Sequence, residues 1–102
     1  MTVDALVVGS GVAGLSVAVR LADAGVKVGV VTKATLSETT TRWAQGGVAA
    51  VLHDDEDSTD AHLADTLRAG AGLCDAEAVR ALVDEGPARV EELIALGAVF
   101  DR

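Results

Sequence analysis

The sequence predicts an α/β chain: a βαβ unit with a parallel sheet, followed by a helical extension. Three observations carry this. Two short Val-rich runs, Val3 to Val8 and Val26 to Val31, flank a segment with helical periodicity. Glycines stand at both junctions, Gly9 and Gly25. The second half of the chain carries repeated helix start and stop signals in acid-rich surroundings.

Each element follows from its residues. Val3 to Val8 is an apolar run ending at Gly9, the pattern of a strand buried on both faces. Val12 to Ala24 places Leu15, Val19 and Ala22 on one helical face, and Gly25 suits a left-handed terminator. Val26 to Val31 is the second buried strand. Strand, helix and strand in so short a span make a βαβ unit. Parallel strands need helices on both faces, so a larger doubly wound sheet is implied than this chain completes.

Thr32 to Thr41 reads as a polar loop, Gly47 to Leu52 as a short extended segment, and His53 to Asp57 as an acidic turn. Asp57 or Ser58 caps a helix through Leu63 and Leu67 to Ala69, which Gly70 and Gly72 break. Asp75 caps the next, with Val79, Leu82 and Val83 on its apolar side. Gly86-Pro87 closes that helix and starts a third, because proline fits a first helical position. Val90, Leu93, Ile94 and Leu96 form the core face of this third helix, and Gly97 ends it.

Composition narrows the function. The chain has 102 residues, half of them hydrophobic, which allows one small domain and excludes an intrinsically disordered segment. Sixteen acidic residues against eight basic ones, with no basic cluster, argue against nucleic acid and against an anionic membrane surface. The single cysteine, Cys74, cannot form an internal disulfide. With no signal peptide or membrane span expected, the prediction is a cytoplasmic chain. The charge is uneven: residues 1–51 hold four basic and three acidic residues, and residues 52–102 hold four basic and 13 acidic ones. An anionic ligand is therefore favoured over the first half, where glycines cluster.

Gly9-Ser10-Gly11-Val12-Ala13-Gly14 is a G-x-G-x-x-G placed between an apolar strand and an Ala-rich helix, with a second strand arriving at the right distance. Gly9 permits the tight turn, Gly11 lets a pyrophosphate approach the backbone, and Gly14 lets helix and strand pack closely. The helix start supplies N–H groups and a partial positive charge. Dinucleotide binding is the reading this context supports. At the end of the second strand, where an acid commonly grips ribose hydroxyls, stand Thr32 and Lys33. The missing acid weakens an NAD assignment, and the lysine leaves NADP open. Further on, Thr39-Thr40-Thr41-Arg42-Trp43-Ala44-Gln45-Gly46-Gly47 offers hydroxyls, a cation and little bulk, which suits a long polar ligand. An ordinary polar loop with Trp43 in a core is the competing reading.

Four blocks together resemble a known family: Gly9 to Ser16, Thr32-Lys33, Ala44-Gln45-Gly46-Gly47-Val48-Ala49-Ala50-Val51, and the run from Asp65 through Ala69-Gly70-Ala71-Gly72-Leu73-Cys74 to Asp75. The likeness is to the succinate dehydrogenase and fumarate reductase flavoprotein superfamily, in its aspartate oxidase branch, and it runs in register from Val3 through Gly97 to Asp101.

The resemblance implies the N-terminal part of a Rossmann-like FAD-binding domain. Residues 1–33 would be the dinucleotide unit, 34–52 a flavin-contacting loop and 53–102 a helical segment, with capping and C-terminal domains absent. It also implies FAD as cofactor. Ser10, Gly11, Val12 and Ala13 would lie on the pyrophosphate and Lys33, beside Thr32, near the adenosine ribose. Thr40, Thr41, Arg42, Trp43, Ala44, Gln45, Gly46 and Gly47 would run toward the isoalloxazine. Respiratory relatives attach the flavin through a histidine before Ala-Gln-Gly-Gly; here that stretch is Thr39-Thr40-Thr41, so the FAD is expected to be non-covalent.

The implied activity is oxidation of L-aspartate to iminoaspartate with O2 or fumarate as acceptor. That is the first step of de novo NAD synthesis, with a functional link to quinolinate synthase. A soluble fumarate reductase-like flavoprotein, or a non-catalytic FAD-binding fragment, are the alternatives. A dicarboxylate needs paired arginines and a base. Arg20, Arg68, Arg80 and Arg89 fall on expected helices, and Arg42 lies in the flavin loop. The family's substrate residues lie beyond Arg102, so no catalytic residue is assigned. His62 is expected to be a solvated or capping residue, His53 exposed, Asp54 to Asp57 an acidic loop rather than a cation site, and Cys74 a buried small hydrophobe.

Overall fold

A computed structural model describes residues 1–43, 47–52 and 57–100. Ala44, Gln45, Gly46, His53, Asp54, Asp55, Glu56, Asp101 and Arg102 lie outside the described residues. The chain divides into two compact units, Met1–Gly47 and Val48–Arg102.

In the first unit, strand β1 (Ala5–Val8), helix α1 (Val12–Asp23) and strand β2 (Val28–Val31) form the expected βαβ unit. The strands are parallel, in register Ala5 with Val28 through Val8 with Val31. Both are shorter than the apolar runs. The amide of Val26 donates to the Leu21 carbonyl at 3.0 Å, and that of Gly25 to Ala22 at 2.9 Å. Gly25 has φ +80°, so α1 ends in a paired left-handed cap that uses Val26 before it can join the sheet. At the other strand, the Asp4 carboxylate accepts from the Lys27 amide at 3.1 Å.

Two expectations about packing change. The residues of α1 that turn inward are Gly14, Ala18 and Leu21, and not Leu15, Val19 and Ala22; Ala18 is buried, while Leu15 and Val19 are exposed. A Cβ on Gly14 would lie 3.3 Å from Val7 Cγ1, so small residues bring this helix close to the sheet. Secondly, the strands are covered on one face only. Val7 and its register partner Val30 are half-buried, whereas Leu6, Val8 and Val31 are exposed. Alternate side chains point to opposite faces, and the described residues place a helix on one of them. The polar loop also contains a helical turn, α2 (Thr40–Trp43), in which the Thr39 carbonyl accepts from the Arg42 amide at 3.1 Å.

The expected extended segment from Gly47, the last residue of the first unit, to Leu52 joins neither strand nor helix, although Ala50, Val51 and Leu52 are half-buried. Helix α3 (Thr59–Ala69) is capped by Ser58, whose Oγ accepts from the Ala61 amide at 3.0 Å. Its left-handed terminator is Ala71 at φ +49°, ahead of Gly72; Gly70 stays right-handed. Helix α4 (Ala76–Ala95) starts at Asp75, whose Oδ1 accepts from the Glu77 and Ala78 amides, each at 3.0 Å. It runs through Pro87, so the expected break into two helices does not occur. Proline clashes with the Cβ of the residue before it, and Gly86 has none. Val83 and Val90 also form one continuous buried stripe across the site. Leu82, Ile94 and Leu96, expected in the core, are exposed. Gly97, at φ +102°, ends α4 as expected.

Candidate functional site

The glycine turn joins β1 to α1. Gly9 has φ +108°, a conformation that glycine adopts without strain, and its amide donates to Val31 at 2.8 Å, tying the turn to the end of β2. The absent Cβ of Gly9 would meet nothing within 4 Å, so the space above the turn is open. A Cβ on Gly14 would lie 2.2 Å from the Gly9 carbonyl oxygen, so only glycine fits there. Helix α1 therefore begins directly over the turn.

Gly11 is the N-cap of α1, in extended conformation and without a side chain to satisfy the first amides. Thr41 does so from a distance: its Oγ1 accepts from the Val12 amide at 3.2 Å. A Cβ on Gly11 would stand 3.1 Å from that same oxygen. The hydroxyl-rich segment is thus folded onto the start of α1. The first turn of α1 carries no acidic residue, so nothing within it offsets the positive end of the helix dipole.

Ser10 lies beneath the turn, 4% exposed, and its Oγ donates to Thr32 Oγ1 at 3.0 Å. Thr32 is half-buried and follows β2 directly; Lys33 is exposed. Val12 and Ala13 are exposed on α1, as are Thr40 and Thr41 on α2. Arg42 donates through Nη1 to the Ser37 carbonyl at 3.4 Å, and its Cζ stands 5.6 Å from the centre of the Trp43 ring. Trp43 is exposed, which removes the alternative of a core tryptophan. Gly47 is exposed, while Ala44, Gln45 and Gly46 lie outside the described residues.

Two contacts escaped the sequence reading: Ser10 with Thr32, and Thr41 with Val12. They join residues 22 and 29 positions apart, and no local pattern marks such pairs. The hydroxyl residue types were the only signal.

Among its described residues the second unit contributes no comparable cluster. His62, expected to be solvated or capping, is half-buried, and its Nδ1 is buried without a partner among the described residues. Cys74 is half-buried, its Sγ 3.9 Å from the Thr66 carbonyl oxygen. Asp57 accepts from the Ser58 amide at 2.8 Å. No group of three metal-ligating side chains occurs among the described residues. Among the described residues no helix is long and apolar enough to cross a membrane.

The residues present fit a diphosphate-bearing cofactor. The turn is open where a Cβ at Gly9 would project, and the helix start above it is free of acids. Comparison with known proteins agrees. The chain is 61% identical over 98 residues to the L-aspartate oxidase of Streptomyces coelicolor, covering 96% of the chain and 17% of that relative. It is 55% identical over 102 residues to L-aspartate oxidase 1 of Ralstonia nicotianae, covering all of the chain and 19% of the relative. To the L-aspartate oxidase of Mycobacterium bovis it is 50% identical over 99 residues, covering 96% of the chain and 19% of the relative. The chain therefore spans less than a fifth of the length of these curated relatives. The family model described as "FAD binding domain" matches residues 4–102, so the chain belongs to that family and its cofactor is FAD.

Proposed function

We propose that this chain is the FAD-binding N-terminal portion of an L-aspartate oxidase, a cytoplasmic enzyme that converts L-aspartate to iminoaspartate. O2, giving hydrogen peroxide, or fumarate would be the electron acceptor. The reaction would open de novo NAD synthesis, its product passing to quinolinate synthase. Identity of 50–61% to L-aspartate oxidases over nearly the whole chain supports the branch. The observation that carries the site is the bond from the Val12 amide to Thr41, which sets the hydroxyl-rich segment at the start of α1.

When bound, FAD supplies the two-electron acceptor that no side chain provides. This chain's own residues bind and orient. The backbone of Gly9, Ser10, Gly11, Val12, Ala13 and Gly14 would hold the pyrophosphate, with the amides of Ala13 and Gly14 as donors. Thr32 and Lys33 would hold the adenosine ribose. Thr40, Thr41, Arg42, Trp43, Ala44, Gln45, Gly46 and Gly47 would follow the ligand toward its flavin ring. With no histidine in Thr39-Thr40-Thr41, the cofactor would be dissociable.

The test uses the full-length protein. It should carry a yellow cofactor that acid precipitation releases, and anaerobic L-aspartate should bleach its visible absorbance. Bleaching by succinate and not by aspartate would move it to another branch; absence of flavin would refute the reading.

A further inference from the structure

The Ser10 hydroxyl is buried and bonded to Thr32. Resting on the flavin reading above, we propose that Ser10 is a positioning residue. Its hydroxyl acts through Thr32 to orient the group that meets the adenosine ribose, and, unlike its backbone, does not itself hold the pyrophosphate.

A hydroxyl has one proton to give and two lone pairs to accept with. Ser10 Oγ spends its proton on Thr32 Oγ1 at 3.0 Å, which leaves the Thr32 proton and one lone pair for a ligand. The bond fixes the Thr32 rotamer, and a hydroxyl that accepts a hydrogen bond becomes a better donor. The geometry around the pair is rigid. The Gly9 amide, next to Ser10, bonds to the carbonyl of Val31, next to Thr32, at 2.8 Å. Turn and strand end are thus joined twice, once by backbone and once by side chain. Among the described residues Ser10 is the one buried polar side chain, and a buried hydroxyl retained beside a ligand cradle needs its partner. Two neutral hydroxyls in series here take the place of the carboxylate commonly found at the end of the second strand.

The experiment is a double-mutant cycle on the full-length apoprotein, read as the FAD dissociation constant. Ser10→Ala and Thr32→Val should each weaken FAD binding about three- to tenfold, the range of one neutral hydrogen bond, and the double variant should be no weaker than Thr32→Val alone. Thr32→Ser, which keeps the hydroxyl, should bind nearly as the parent does. ADP serves as a second probe. The parent should distinguish ADP from 2′-deoxy-ADP or 3′-deoxy-ADP, and Ser10→Ala should lose that discrimination. Additive losses in the cycle, or a Ser10→Ala variant with parental affinity, would overturn the proposal while leaving the flavin reading intact. A parent protein that takes up no FAD would overturn both. If Ser10→Ala fails to fold, Thr32→Val against Thr32→Ser decides: equal affinities refute a role for the hydroxyl, and a loss confined to the valine supports it.

Discussion

In Met1–Gly47 the side-chain hydrogen bonds that shape the structure join residues 22, 23 and 29 positions apart: Ser10 to Thr32, Asp4 to Lys27, and Thr41 to Val12. In Val48–Arg102 nearly all the side-chain contacts among the described residues are local. Ser58 and Asp75 cap the helices they precede, Asp65 pairs with Arg68, and Arg89 pairs with Glu92. Arg80, at 2.6 Å from Asp60, is the long-range exception. The first unit is near neutral, and its long-range bonds use hydroxyls, backbone amides and the Asp4 carboxylate. The second carries the acidic excess; Asp60, Asp65, Glu77, Asp84, Glu85, Glu91 and Glu92 stand exposed on its helices. The contrast teaches where a binding site can form: a ligand cradle needs groups from distant parts of the chain, and helix caps do not supply them.

The contrast can be broken most sharply at Gly14. Its missing Cβ would fall 2.2 Å from backbone, the Gly9 carbonyl oxygen, which cannot swing aside. Gly14→Ala should cost about 3 kcal/mol or more and abolish FAD retention, checked by thermal unfolding and bound-flavin absorbance. Removing a local device should act only on its own unit. Asp75→Ala forfeits two capped amides and should cost about 1 kcal/mol in chemical denaturation, with FAD affinity unchanged.

Smaller effects sharpen the picture. Ala71 ends α3 at φ +49°, where a side chain is strained, so Ala71→Gly should stabilise by about 0.5 kcal/mol in the same denaturation assay. The least effect is expected at Arg80. Its hydrogen bond to Asp60 holds the guanidinium above its ordinary pKa against desolvation, with smaller help from the charges of Asp60 and Asp84. A raised pKa on a base gives stability that is complete below its ordinary range, so the guanidinium stays charged and its own titration adds no pH dependence at working values. Arg80→Gln should lower the melting temperature slightly at low salt, and the difference should vanish at high salt.

Much of the fold was legible because its signals are local. The order of β1, α1 and β2, the Ser58 and Asp75 caps, and the terminators Gly25 and Gly97 each depend on a few adjacent residues. Pro87 misled because its helix-breaking tendency is also local, and two things opposed it: the missing Cβ of Gly86 and a buried stripe through Val83 and Val90. Trp43 and the turn of α2 were obscured by a polar composition that fits loop and helix alike.

The sequence by itself determined the βαβ unit and the glycine turn, since backbone conformational freedom and hydrophobic period are properties of short segments; the FAD-binding family was legible in it only through the resemblance of its motifs. Only the tertiary structure decided that Ala18 and not Leu15 meets the sheet, that Thr41 caps a helix begun 29 residues earlier, and that Ser10 is committed to Thr32. Such contacts depend on the path by which the chain returns, and that path is set by the packing of the whole unit.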